Sequence, residues 1–79
     1  MDAKTIREKF IRPKLTEIFG SVIANALVSK AALAGMKGTN ELEKLTMTVE
    51  CICSDAKVIG MWGMTQSGKQ KEEWLKLLQ

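Results

Sequence analysis

A chain of 79 residues is one domain, residues 1–79. It buries only about 60% of its unfolded surface, so without disulfides or a metal a partner chain is the staple to expect. Its 46% hydrophobic and 27% charged residues exclude a disordered chain, and two cysteines with no histidine exclude a disulfide framework, a four-ligand zinc site and imidazole-based catalysis.

The first element is a helix from about Asp2, which is a suitable N-cap, with Thr5 a second candidate. Ile6 and Phe10 share one face of it. Ile11, Leu15, Ile18, Phe19 and Val22 then step by three and four along a face rotated well away from the first. Pro13 sits at the change, and a kink is expected there. The whole net charge of +3 belongs to this end. Lys4, Arg7, Lys9, Arg12 and Lys14 stand against Asp2 and Glu8, while the rest of the chain is neutral. These five cations are the candidate nucleic-acid contacts. The same stretch has no apolar h-region, so a secretory signal is not expected and a cytoplasmic setting is.

From Lys14 to Ala34 a long central helix is predicted, with the stripe Leu15, Ile18, Val22, Ala26 and Leu33 turned to the core and Gly20 a weak point within it. Ser21, Asn25 and Ser29 line up at i, i+4, i+8 and read as a solvent-facing strip. The alternative is a buried polar seam that sets register. Its most apolar stretch, residues 21–35, holds Asn25 and Lys30 and is shorter than the roughly 18 residues of a membrane span. No internal repeat is evident along the chain.

Gly35 and Gly38 signal a stop. Asn40 followed by Glu43 resembles a capping box, so a new helix should begin at Glu41. Two patterns compete beyond it. Leu45, Met47, Val49, Cys51 and Cys53 alternate like a strand, which gives an α+β alternative with a β-hairpin at about 46–62. Leu42, Leu45, Val49, Ile52, Ala56 and Ile59 step by three and four over a longer window, and helix is the preferred reading. On a helix, Cys51 and Cys53 point about 200° apart and cannot share one ion. No metal or cofactor is expected, and the thiols read as small buried hydrophobes. Met47, Cys51, Val58 and Met61, with Trp62 beside them, then form a second apolar row and are the interface candidates.

Gly63 to Gln70 fits G-x-x-x-x-G-K and so resembles the Walker A motif, but Gln70 stands where Ser or Thr holds magnesium. It reads instead as a glycine-rich turn and a helix start, with Ser67 and Gln70 as a capping box. Lys69–Glu73 and Glu72–Lys76 are spaced for ion pairs, and Trp74 is the expected core anchor. The prediction is an all-α bundle: a kinked N-terminal helix, two long antiparallel helices and a short C-terminal helix. The functional expectation is a non-enzymatic regulatory or protein-interaction module, a homodimer acting through exposed apolar helix faces. Its rival is a nucleic-acid-binding regulator.

Overall fold

The computed structural model describes residues 1–78. The chain is helical throughout: α1 Ala3–Ile6, a π-helical turn Arg7–Ile11, α2 Arg12–Phe19, α3 Ser21–Gly35, α4 Glu41–Cys53 and α5 Ala56–Lys76. Among the described residues there is no strand, so the hairpin alternative at 46–62 falls and residues 41–53 wind as a helix. Consecutive helices pack on one another, and α1 returns to lie against α4. There the Ala3 amide donates to Glu41 Oε2 at 3.2 Å.

The first helix begins where Asp2 accepts the Thr5 amide at 2.7 Å. Its discontinuity is not a simple proline kink. A π turn adds one residue to a helical turn, and it ends beside Pro13, which lacks a backbone donor. The added residue rotates the chain so that Ile6, Ile11 and Leu15 all face the core, fully buried. Phe10 is the residue displaced, at 38% exposed. The two apolar stripes, out of phase on a regular helix, become one face.

Gly20 breaks the expected central helix. Its backbone lies at φ 84°, ψ 164°, which side-chain-bearing residues rarely adopt. α2 therefore ends at Phe19 and α3 starts anew at Ser21. The corner resets the phase, so the stripe predicted for the core, still half-buried at Ile18, is wrong from Val22 onward. The buried face of α3 is Ala24, Leu27, Val28 and Ala31, while Val22 and Leu33 point outward at 82% and 66% exposed. Ser21, Asn25 and Ser29 are exposed, as the solvent-facing reading holds.

α4 starts at Glu41 as expected. Asn40 Oδ1 accepts the Glu43 amide at 2.9 Å, and Glu43 Oε1 reaches back to the Thr39 amide and hydroxyl. Leu45, Val49 and Ile52 are core; Leu42 is not. α4 stops at Cys53, short of Ile59 where the predicted stripe ends, and Asp55 caps α5 by accepting the Lys57 amide at 2.9 Å. The end of α3 and the start of α4 approach closely. A Cβ on Gly35 would overlap Thr48 Oγ1 and lie 3.0 Å from the Lys44 carbonyl, and one on Gly38 would lie 2.6 Å from the Lys44 nitrogen.

α5 bends at Gly63, with φ 78° and ψ 165°. These angles are almost those of Gly20, and an aromatic residue precedes each glycine, Phe19 and Trp62. From this corner onward the two segments match in burial. Residues 19–34 and 62–77 have the same sequence of buried, half-buried and exposed positions, save Val28 against Lys71. A helix–glycine–helix corner thus occurs twice, a repeat that side-chain chemistry hides. The corner also moves the last helix start to Met64. Ser67 is mid-helix and buried rather than a cap, and Gln70 bonds Glu73 instead of closing a capping box. Trp74 is the buried anchor expected of it.

Candidate functional site

The thiols come first. Cys51 and Cys53 are free, half-buried and two positions apart on α4, so they diverge. Burial pushes the Cys53 thiol up to about 11, slightly opposed by Lys71. At neutral pH it is a protonated thiol, not a nucleophile. It lines a groove of about 460 Å³ between α4 and α5 with Glu50, Ile59, Met64, Ser67 and Lys71. Lys71 donates to Glu50 at 2.9 Å, and Ser67 Oγ is buried without a hydrogen-bond partner. The groove offers apolar walls and an ion pair but no activated nucleophile and no base beside one. Among the described residues no three His, Cys, Asp or Glu side chains gather as a metal site. The Walker-like stretch supplies no phosphate loop, because Met64–Lys69 is helix.

The interface row predicted from the sequence does not form one surface. The turn at Ser54 and Asp55 separates Met47 and Cys51 on α4 from Val58, Met61 and Trp62 on α5. Val58 is fully buried in the core, Met47 and Cys51 are half-buried, and Met61 is 56% exposed. Trp62 packs inward on Trp74, with ring centroids 6.2 Å apart and planes at 56°.

The basic end is partly spent within the chain. Glu8 accepts from Arg7 Nε and Arg12 Nε, each at 2.9 Å, and these two bonds hold its carboxyl below the usual range. Arg12 also donates to Asn25 Oδ1. Lys4, Lys9 and Lys14 remain exposed and make none of the ion pairs formed among the described residues. Lys4 and Arg7 share a second groove, of about 340 Å³, with Lys44, Asp2 and Glu41, so its charge is mixed.

A row of exposed apolar residues lies elsewhere, on α3, apart from the separate exposed residues Leu42 on α4 and Met61 and Met64 on α5. Val22, Ala26, Ser29 and Leu33 run along its outward face, and Met36, 76% exposed, extends the row past the helix end. Sequence reasoning had assigned Val22, Ala26 and Leu33 to the core. The signal that pointed the other way was the glycine at position 20. The repeated corner supplies the comparison. In the matching segment of α5 the outward positions carry Thr65, Lys69, Glu72 and Lys76, the polar residues a solvated face has. The inner positions show the opposite exchange, with Ala24, Leu27 and Val28 of α3 matched by Ser67, Gln70 and Lys71 of α5. Among the described residues, no helix is long and apolar enough to cross a membrane. No protein-family model matches this chain, and no curated protein and no solved structure matches it either.

Proposed function

We propose that this chain is a non-enzymatic regulatory or protein-interaction module that works by pairing helices, and that its apolar contact is the outward face of α3, used in a homodimer. One observation carries the reading. Two helices sit in matching corners with matching burial, yet only α3 puts Val22, Ala26 and Leu33 where α5 puts Thr65, Lys69 and Lys76. Large apolar side chains in a row of outward positions mark a surface that a partner covers. The two unbridged thiols support a reducing, cytoplasmic setting.

Sedimentation equilibrium tests the proposal. The wild-type chain is expected to self-associate as concentration rises. Leu33→Asp is expected to weaken that association at least tenfold while leaving helix content unchanged, because residue 33 is outside the core. A chain that stays monomeric at millimolar concentration removes the reading. The rival, a nucleic-acid-binding regulator, rests on Lys4, Lys9 and Lys14 as its uncommitted cations. It predicts affinity that falls steeply with salt and with neutralisation of those three lysines.

A further inference from the structure

The groove between α4 and α5 has two features that its own packing does not explain. Ser67 lines it and is 3% exposed, yet its Oγ is buried with no hydrogen-bond partner. A buried hydroxyl without a partner is unfavourable, and native chains keep few of them. Gly68 lines the same groove, and a Cβ there would meet nothing within 4 Å. Glycine inside a helix is less stable than alanine, and no close neighbour calls for it here. We propose that this groove is a binding site for a small uncharged aromatic molecule carrying one hydroxyl or carbonyl group, which bonds to Ser67 Oγ.

Size, wall chemistry and charge select that class. The volume of about 460 Å³ falls within the roughly 300–1,000 Å³ of small-molecule sites. Ile59 gives the groove an apolar wall, and Cys53 and Met64 bring sulfur to it. Sulfur makes favourable contacts with aromatic ring edges. The Cys53 thiol keeps its proton at neutral pH, so it adds no charge. The two charged lining residues, Glu50 and Lys71, are bonded to each other at 2.9 Å. A charged ligand would have to divide that pair, whereas an uncharged one leaves it intact.

Helix geometry brings the groups together. Met64, Ser67, Gly68 and Lys71 follow at steps of three and four beyond the Gly63 corner, so they share one face of α5. On that face Gly68 leaves, beside the hydroxyl, the space a ring takes. Met64 stands one turn before Ser67 and is 79% exposed. Its unbranched side chain has three rotatable bonds, so it can swing aside to uncover Ser67 Oγ and then close over the ring. None of these residues lies on α3, so the site is independent of the self-association reading above.

Amide NMR shifts of the isotope-labelled full chain test the site, with naphthol, naphthalene and naphthoate as probes, each titrated up to its solubility. Naphthol is expected to shift Cys53 and Ser54 on α4 together with Ser67 and Gly68 on α5. It should bind about fivefold more tightly than naphthalene, the factor that one hydrogen bond supplies. Naphthoate, which brings a negative charge, should bind more weakly than naphthol. Ser67→Ala should lower naphthol to the affinity of naphthalene and leave naphthalene unchanged. Gly68→Leu should abolish binding of all three while helix content by circular dichroism is kept, because leucine fills the groove and favours helix. The proposal is overturned by any of four results: no shifts at the groove residues, naphthol binding unchanged in Ser67→Ala, a preference for naphthoate, or binding that survives Gly68→Leu.

Discussion

At the scale of single residues, four glycines do two different jobs. Gly20 and Gly63 have open space where a Cβ would go, but their positive φ is strained for any side chain. Gly35 and Gly38 have ordinary angles and no space, because α4 lies against them. Gly20→Ala and Gly63→Ala are expected to cost about 1–3 kcal/mol each through backbone strain. Gly35→Ala is expected to cost a similar ~1–3 kcal/mol through overpacking. Urea titration measures all three. A second change separates the mechanisms: trimming Thr48 to Ala should recover part of the Gly35→Ala loss and none of the Gly20→Ala loss. Cys53 gives a pH signature. Its folded value is raised from 9.0 to about 11, so the folded thiol keeps its proton where the unfolded one loses it. The stability this contributes is complete below about pH 9 and is lost as pH rises through about 11. Denaturation of wild type and Cys53→Ala across pH 8 to 11 should show a steeper alkaline decline in the wild type. Parallel curves would contradict it.

At the scale of elements, the instructive feature is the π turn. Ile6, Ile11 and Leu15 form a single buried face only because Arg7–Ile11 winds with an added residue. Deleting Phe10 removes that residue and leaves Ile6, Ile11 and Leu15 at regular steps of four. The deletion is expected to preserve helix content and to cost less stability than deletion of Glu17, which shifts Ile18 and Phe19 against Leu15. Circular dichroism and urea midpoints of the two deletions compare them directly, and equal losses would rule the phase argument out. The ion pairs foreseen along the last helix do not form. The pair made there is Lys71–Glu50, which crosses from α5 to α4 and is exposed at one end. Exposed pairs of this kind are worth about 0–1 kcal/mol, so α5 is held by Val58 and Trp74 rather than by charge.

At the scale of the whole molecule, the accessible surface is 4806 Å², against about 4,800 Å² for a compact monomer of this mass. The chain is therefore as compact as a monomer of this mass is expected to be. The margin is small. A chain of this size has on the order of 4–12 kcal/mol of stability, and Trp74→Ala is expected to remove about 3–5 kcal/mol of it. Thermal unfolding by circular dichroism should find that variant largely melted near 37 °C. A fully folded variant would show that Trp74 caps the core rather than anchors it. A dimer through α3 adds a second sign, a melting temperature that rises with protein concentration.

Local chemistry was readable because it depends on near neighbours. Asp2 and Asn40 cap helices at the positions their sequence context marks, Leu45, Val49 and Ile52 face the core as their spacing implies, and Trp74 is buried. Periodicity also decided helix over strand around Cys51 and Cys53. What lay outside its reach was phase across a break. A stripe counted through Gly20 assumes the helix continues, and nothing in the spacing of Leu15, Val22 and Leu33 reports a corner at that glycine. The same holds for the extra residue at Arg7–Ile11 and for the stop at Cys53, which splits the predicted interface row and buries Val58. The sequence by itself determined that this chain is helical, where several helices begin, and that it carries more apolar faces than one small core uses. Only the tertiary structure decided which faces those are. A helix direction changes by tens of degrees for one backbone dihedral, and that change is set by packing between residues far apart in the chain.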